Sequence, residues 1–458
     1  AEKYKKDIQY AKFSAYGFLK NLKLFEPFLV LFLLDKGLSF TLIGMLYAYR
    51  EIMSSLLEVP TGVIADAVGR RRTMVQSFLS YIVSFLIFYF ASSYWALMIG
   101  MTCFAFGEAF RGGTHKAMIF EYLKMNGWQD QKVDYYGHTR AWSQRGSAIS
   151  SLIAAAIVFV SGRYDIVFLV STLPYVLNLL LMLSYPEELD QEINKSGNIR
   201  DSFNSVWKSL VITFRGQGAL RATTNVCIYD GFYNAVKDFL QPIVKTLALT
   251  MPLLLMLQAK QRSAVLVGIV YFFIYLMTSW ASRHSGTFAS RFKMLTTPLN
   301  LTMLVGFGLG ILCGLFYYLH YSFAAVVFFT IIFVIQNLRS PMSVTYVSDT
   351  VPCEVLATSL SVRSLITAFY TAIMAFVIGL MADNLGLGQA LMILSLGLTV
   401  LSPLYLVSIT NRTLECEDAS IPPRDLKESK NDNVRQSGIS ELTISFDYHN
   451  KNKDYEKL

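Results

Sequence analysis

The sequence predicts an all-α membrane protein with twelve transmembrane helices in two six-helix bundles. Of its 458 residues, 53% are apolar and only 16% are charged, whereas soluble domains carry about 25% charged residues. The apolar residues form blocks of roughly 20 residues, which is the length that crosses a ~30 Å hydrocarbon core as a helix. These blocks recur almost to the end of the chain. Most of the protein surface is therefore expected to face lipid.

Twelve blocks are predicted to span the membrane. They cover residues 11–34, 40–65, 73–92, 94–121, 138–161, 165–184, 220–246, 262–282, 295–317, 322–349, 359–382 and 387–408. The long polar connection 185–219 separates an N-terminal bundle, 1–184, from a C-terminal bundle, 220–408. Apolar residues at helical spacing in 201–214 predict a helix on the membrane surface. The polar residues 409–458 predict a disordered cytoplasmic tail.

The distribution of basic residues predicts the orientation. Lys and Arg concentrate in alternate loops on one side, including the run Arg70, Arg71 and Arg72. Loops of this kind face the cytoplasm, so both termini are expected there and the chain is expected in the cell (inner or plasma) membrane. No secretory cleavage site follows the first block, which is expected to stay as an anchor. The same loops explain the net charge of +8 without a nucleic-acid partner. A monomer among membrane lipids is expected.

Neither a cofactor nor a metal is predicted. The five cysteines are scattered, without a C-x-x-C pair or a histidine at metal-ligand spacing. No G-x-x-x-x-G-K-[ST] loop occurs, so ATP is not the expected energy source within this chain. An enzyme is not expected either, because the sequence lacks H-E-x-x-H and other paired catalytic motifs.

The strongest local signal lies between the second and third spans. Residues 62–71 read Gly-Val-Ile-Ala-Asp-Ala-Val-Gly-Arg-Arg. This loop resembles the signature loop of the major facilitator superfamily and has the same place in the chain. Together with the six-plus-six layout, the resemblance covers about residues 10–408. It implies a transporter whose two halves surround a central cavity.

The resemblance also assigns roles to this loop. Asp66 would close the cytoplasmic side by engaging the start of the eleventh span near Thr358 and Ser359. A repeated spacing supports the two halves: in the fourth and tenth spans an arginine precedes an acidic residue by ten positions. The predicted cytoplasmic gate comprises Gly62, Asp66, Gly69, Arg70, Arg71, Glu121 and Asp349.

Ionisable residues inside the apolar spans predict the transport pathway. Each costs about 2.5–3.5 kcal/mol at the centre of a bilayer unless it faces protein or water. Glu108, Arg111 and His115 are three and four residues apart and therefore share one face of a helix. The predicted substrate or proton pathway comprises Glu26, Glu51, Glu108, Arg111, His115, Lys116, Arg140, Arg145, Asp230, Tyr233, Lys237, Asp238 and Arg339.

Prolines predict breaks in two of these spans. Pro27 follows Glu26 in the first span, and Pro242 lies just after Asp238 in the seventh. Proline removes a backbone hydrogen bond and clashes with the preceding turn. The first and seventh spans hold equivalent positions in the two halves, so both are expected to act as gating helices.

The leading functional hypothesis is secondary active transport of a small organic solute by alternating access. The sequence does not decide whether transport is coupled to protons; Glu26, Glu108, His115 and Asp230 are the candidates for carrying the proton. It does not decide the charge of the solute either. One alternative is an exporter of drugs or of metabolites such as siderophores, although the fifth span lacks the Gly-Pro motif of drug antiporters. A membrane sensor that recruits partners through its tail is another alternative.

Overall fold

The computed structural model describes residues 6–112, 114–128, 132–189, 204, 207–208, 211, 217–252, 256–350 and 356–407. These ranges contain no β-strand. The tail 409–458 and most of the connecting segment 190–216 lie outside them. Of the predicted surface helix 201–214, only residues 204, 207, 208 and 211 are described, and these four are helical.

Fifteen α-helices lie in the described ranges. They are α1 (Ile8–Lys20), α2 (Leu29–Asp35), α3 (Phe40–Val68), α4 (Arg70–Phe90), α5 (Tyr94–Arg111), α6 (Thr114–Met125), α7 (Lys132–Ser161), α8 (Ile166–Leu183), α9 (Gln217–Val236), α10 (Leu240–Thr250), α11 (Ala259–Ala289), α12 (Thr296–Tyr318), α13 (Ser322–Thr350), α14 (Leu356–Leu385) and α15 (Leu387–Leu401). Each of the twelve predicted spans coincides with one or two of these helices.

Eight helical segments in the described part are long and apolar enough to cross a membrane, by length and composition. They are Arg70–Phe90, Trp142–Ser161, Ile166–Leu183, Ala259–Ala289, Thr296–Tyr318, Ser322–Val347, Val362–Leu385 and Leu387–Leu404. The first, second, fourth and seventh predicted spans fall outside this group. Each of these four carries ionised residues, which lower its hydropathy, and three of them are broken. The all-α membrane fold is confirmed, and the count of twelve crossings stays a prediction.

The predicted breaks in the first and seventh spans are present. In the first span, the short 3-10 turn Glu26–Phe28 precedes α2; in the seventh, the turn Lys237–Phe239 joins α9 to α10. Pro27 lies within the first turn, where its fixed φ angle fits a tighter helix. The fourth span is also broken, at Gly112 between α5 and α6, which the sequence did not predict.

Among the described helices, two pairs make the most extensive contacts between the N-terminal group, α1–α8, and the C-terminal group, α9–α15. These pairs are α3 with α14 and α7 with α11. In the first pair, a Cβ atom added to Gly44 would lie 2.2 Å from the carbonyl oxygen of Ala375. In the second, a Cβ atom added to Gly268 would lie 2.3 Å from the Cβ atom of Ala155. Glycine is therefore required at both contacts, because the helices approach closer than any side chain allows.

An acidic side chain closes the predicted outer end of the α3–α14 contact. The backbone N–H groups of Phe40 and Thr41 donate to Asp383 at 2.9 and 2.7 Å, and the Thr41 hydroxyl donates at 2.6 Å. A carboxylate at a helix N-terminus satisfies N–H groups that lack helical partners and complements the helix dipole. Asp383 on α14 thus caps α3 of the other group.

A second contact closes the same end between the two broken spans. The Gln241 side chain on α10 accepts a hydrogen bond from the Val30 N–H at 2.8 Å and donates to the Glu26 carbonyl at 2.9 Å. It thereby satisfies backbone groups that the break leaves without helical partners. Nearby, Lys260 pairs with Asp35 at 2.8 Å. All of these contacts join the two groups at the predicted outer side.

The apolar core runs through both groups as one cluster. Aromatic rings fill it, as between Phe85 and Tyr175, whose centroids lie 4.9 Å apart. Large apolar side chains also cover the outside: Trp95 is 73% and Val160 is 84% exposed. Such a surface is stable where the surroundings are lipid.

Replacing Asp383 by alanine is expected to open the predicted outer side. The substitution removes three hydrogen bonds from the start of α3, and loss of such a cap costs about 1 kcal/mol, or roughly fivefold in the ratio of open to closed molecules. The measurement is the rate at which an impermeant maleimide, added outside, labels Asn234→Cys in the interior. The five native cysteines are replaced by serine.

Asn384→Ala provides the matched control for this measurement. The Asn384 side chain is exposed and donates to Leu380 of its own helix at 2.7 Å, so its loss leaves the contact with α3 intact. Equal labelling rates in the two variants would show that the Asp383 cap does not hold the outer side closed.

Candidate functional site

Three adjoining cavities lie between the two helix groups. Cavity A has a volume of about 190 Å³, cavity B about 240 Å³ and cavity C about 440 Å³. Cavities A and B share the lining residues Lys23, Glu26, Lys237 and Asp238. Cavities A and C share Glu51, Ser54 and Asn234. The three cavities therefore form one polar region that is bordered by α3, α14 and the broken first and seventh spans.

The two helix breaks place charged residues in cavities A and B. Glu26 and Lys237 are the first residues of the two 3-10 turns. Glu26 accepts a hydrogen bond from the Tyr275 hydroxyl at 3.4 Å and lies 4.0 Å from the Lys23 ammonium group. Lys237 makes no ion pair within 4 Å with any residue that the structure describes. The acid beside it, Asp238, is 8% exposed.

Other charges in these cavities neutralise each other. Arg50 pairs with Glu51 at 2.6 Å and its guanidinium lies 4.6 Å from the centre of the Tyr47 ring. Glu108 pairs with Arg111 at 3.2 Å and accepts a hydrogen bond from the Tyr81 hydroxyl at 2.6 Å. Pairing and ring contacts offset the cost of holding these ions away from bulk water.

The charged stripe of the fourth span lines two different cavities. Glu108 lines cavity A, whereas Arg111, His115 and Lys116 line a separate cavity of about 130 Å³ inside the N-terminal group. His115 stacks on the Tyr16 ring at 3.5 Å between centroids, and its Nε2 lies 3.1 Å from the Tyr185 hydroxyl. The structure therefore places His115 in an aromatic cluster and away from the central cavities.

An ion pair in cavity C links α9 with α14. Asp230 binds the Arg363 guanidinium at 2.7 Å and accepts a hydrogen bond from the Gln336 side chain on α13 at 2.8 Å. Nearby, Ser364 of α14 donates to Glu58 of α3 at 2.7 Å. Cavity C thus contains one satisfied pair within the C-terminal group and one direct contact between the groups.

Arg339 lies in the interior of the C-terminal group and lines none of the cavities described above. It is 0% exposed, donates to Asn225 Oδ1 at 2.7 Å and to Thr302 Oγ1 at 3.3 Å, and also donates to the Leu299 carbonyl. Its guanidinium lies 4.9 Å from the centre of the Tyr229 ring. These contacts tie α9, α12 and α13 together, and a role of Arg339 in the pathway stays a prediction.

The remaining pathway candidates are dispersed. Tyr233 lines cavity B, where its ring lies 5.3 Å from that of Phe333. Arg145 is exposed and lies over the Trp142 ring at 4.8 Å. The side chain of Arg140 lies outside the described part of the structure.

The predicted gate is described only in part. Gly69 joins α3 to α4 with φ +107°, a conformation that glycine adopts readily. Arg71 donates to the Leu183 carbonyl at 2.8 Å, and Glu121 lies 3.9 Å from Lys124. Arg70 is half-buried in the first turn of α4. Gly62 lies within α3. The side chains of Asp66, Asp349, Thr358 and Ser359 lie outside the described part.

Several cavity residues were not among the predicted pathway residues. They are Lys23, Arg50, Asn234, Gln336 and Arg363. Lys23 had a detectable signal, since it lies three residues before Glu26 at the break. Gln241, which closes the outer end, had none, because an amide side chain in an apolar span is not costly enough to stand out.

A bundle of long apolar helices around a central polar region defines a multi-pass membrane transporter, and comparison with known proteins agrees. The chain belongs to the Major Facilitator Superfamily, whose family model matches residues 21–369. A curated relative is the uncharacterized MFS-type transporter YxaM of Bacillus subtilis (strain 168), which is 28% identical over 109 residues. That match covers 23% of this chain and 27% of the relative's length.

Solved transporter structures share the fold. The nucleoside transporter NupG superposes with a TM-score of 0.66 at 13% identity, covering 87% of this chain and 98% of that one. A POT family transporter in complex with 5-aminolevulinic acid gives a TM-score of 0.65 at 15% identity, covering 87% and 94%. At these identities the likeness concerns the fold alone.

Arg339→Gln is expected to destabilise the protein. The substitution leaves the buried Asn225 Oδ1 without its donor, and an unsatisfied buried group costs about 1–3 kcal/mol. The measurement is the temperature of unfolding in detergent. Arg145→Gln, at the exposed position, is expected to change stability by less than about 0.5 kcal/mol. An Arg339→Gln protein as stable as Arg145→Gln would contradict the structural role.

A double-mutant cycle is expected to show strong coupling between Asp230 and Arg363. Asp230→Asn or Arg363→Gln alone leaves one buried charge without its partner, which costs about 3–5 kcal/mol. The combined variant removes both charges and should regain much of that loss. Denaturant unfolding of the four proteins measures the coupling. Losses that simply add would contradict a direct ion pair.

Proposed function

We propose that this transporter moves a small organic solute across the cell membrane by alternating access between its N-terminal and C-terminal groups. The observation that carries the proposal is the charged region of cavities A and B, which lies between the groups. At its predicted outer end the region is sealed by Asp383 and Gln241. A solute site at the interface of two halves, closed at one end, is the arrangement that alternating access requires.

The closed end indicates a molecule that faces inward. Cavity C, with Glu58 and Val344 in its lining, extends toward the predicted cytoplasmic side. Both termini lie on that side in this scheme, the segment 185–219 connects two six-helix bundles, and the tail 409–458 extends into the cytoplasm. In the alternate state, Asp66 and Asp349 close the cytoplasmic end while the Asp383 cap separates from α3.

A proton gradient is the driving force that the site favours. Glu26 and Glu108 line cavity A, and a carboxylate can gain or lose a proton as its surroundings change between two states. The sequence contains no nucleotide-binding loop. Related folds include transporters named for nucleosides and peptides, which supports an organic solute over a metal ion.

Uptake by reconstituted protein tests this proposal. Proteoliposomes are incubated with a cell metabolite extract with and without an inward proton gradient, and their contents are compared with those of empty liposomes. At least one organic solute is expected to accumulate, and the gradient is expected to raise its level. Glu108→Gln should remove the gradient effect. Accumulation that ignores the gradient would contradict proton coupling but leave transport intact.

Gly379→Leu supplies a conformationally blocked control. A Cβ atom at this position would lie 2.4 Å from the Phe40 carbonyl oxygen, so α3 and α14 cannot close at the outer end. Overpacking costs about 1–3 kcal/mol, and uptake should fall by about tenfold. Gly397→Leu is the matched variant, because nothing lies within 4 Å of its Cβ position, and it should transport normally. Unimpaired uptake by Gly379→Leu would contradict alternating access at this contact.

A further inference from the structure

We infer that the solute is a small zwitterion, whose ammonium group binds Glu26 and whose acidic group binds Lys237. This inference rests on the proposed transport function and specifies its substrate class. It starts from the two helix breaks. The turn Glu26–Phe28 and the turn Lys237–Phe239 hold the same place in the two groups, and both continue through Phe-Leu into the next helix. Their first residues carry opposite charges.

The charge balance of cavities A and B favours a solute without net charge. The pairs Arg50–Glu51 and Glu108–Arg111 neutralise themselves. The ionisable residues that remain in the lining are two bases and two acids: Lys23, Lys237, Glu26 and Asp238. A solute with a single charge would leave one uncompensated ion in a region of low dielectric constant, which is strongly unfavourable. A zwitterion keeps the net charge of cavities A and B at zero.

Glu26 and Lys237 are the members of this set that are available for binding. The side chain of Glu26 is 32% exposed and its two neighbours are distant, at 3.4 and 4.0 Å. Lys237 is half-buried, lines both cavities and has no ion pair among the described residues. Asp238, by contrast, is buried. An ammonium group and a carboxylate on one solute would supply the short charged contacts that both residues lack.

Binding of this kind would connect the two groups. Glu26 belongs to the N-terminal group and Lys237 to the C-terminal group, so a zwitterion bridges them. The Glu26 carbonyl also accepts the hydrogen bond from Gln241 that helps to seal the outer end, at 2.9 Å. A solute that binds the Glu26 carboxylate therefore contacts the same residue whose backbone carbonyl takes part in the outer seal. A solute with one charge would engage one group only.

A zwitterion that occupies cavity A or cavity B alone has about the dimensions of an amino acid. Each of these two cavities, at about 190 and 240 Å³, is smaller than the ~300–1,000 Å³ of sites for drug-sized ligands. The wall of cavity B carries the rings of Tyr233, Tyr275 and Phe333. These rings suit an apolar or aromatic side group on the solute.

The test offers proteoliposomes a defined mixture in which each apolar side group occurs in three forms. Leucine and phenylalanine are the zwitterions, 3-methylbutylamine and 2-phenylethylamine the amines, and 4-methylpentanoate and 3-phenylpropionate the acids. The zwitterions are expected to accumulate and the other forms are not. Preferred uptake of amines or acids would overturn the inference and leave transport standing. The inference would also be overturned if only singly charged solutes accumulated from a cell extract. Absence of any uptake in either experiment would instead overturn the proposed transport function.

Two substitutions should change the preference in opposite directions. Glu26→Gln is expected to favour the acids and Lys237→Met the amines, each by about tenfold or more relative to the zwitterion. Glu26→Asp and Lys237→Arg keep the charges and should retain the original preference, which separates binding from folding. Lys36→Met removes an exposed lysine that lies 5.5 Å from the Phe32 ring and should have no effect. An unchanged preference in both neutral variants would overturn the inference.

Discussion

The cost of an ion inside lipid is the constraint on which the rest of this structure depends. An ionised side chain that faces hydrocarbon is strongly unfavourable, so every charge within the bundle must have a partner or face a cavity. The structure uses both solutions. Asp230 and Arg363 form a short pair, Arg339 is surrounded by neutral acceptors and a ring, and Glu26 and Lys237 face the central region. Charges that are paired or fully buried thus stabilise the bundle, whereas those that face the cavities are the candidates for binding a solute.

The helix breaks in the first and seventh spans place charged residues beside the central cavities. A continuous helix satisfies its own backbone groups, whereas a broken one exposes N–H and C=O groups that need other partners. At the break in the first span these partners come from the opposite group: Gln241 on α10 accepts from the Val30 N–H and donates to the Glu26 carbonyl. The same segments therefore hold the charges of the cavity and the seal of its outer end. Glu26 therefore has its carboxylate in the cavity and its backbone carbonyl in the seal.

Composition and periodicity predicted the fold well because they measure burial in lipid. Each block of apolar residues coincides with one or two of the described helices, and Pro27 and Pro242 indicated two breaks. The loop of residues 62–71 predicted the family that the comparison with known proteins confirmed. The assignment of charges to sites was less predictable. Arg111 and Arg339 have the same rank in their halves, yet one pairs with an acid beside the cavity and the other is fully buried.

The fold was more predictable than the site because a sequence pattern shows which residues share a face of one helix. It does not show which faces of distant helices meet. Asp383 caps α3 from a helix more than 300 positions away, and no local spacing encodes such a contact. The most direct test of alternating access is a pair of distance measurements between spin labels, one pair at Phe90 and Tyr321 on the outer end and one at Met125 and Arg291 on the opposite end. The two distances should change in opposite directions, with molecules that are short at one end being long at the other. Distances that stay fixed at both ends, or that lengthen together, would contradict the account.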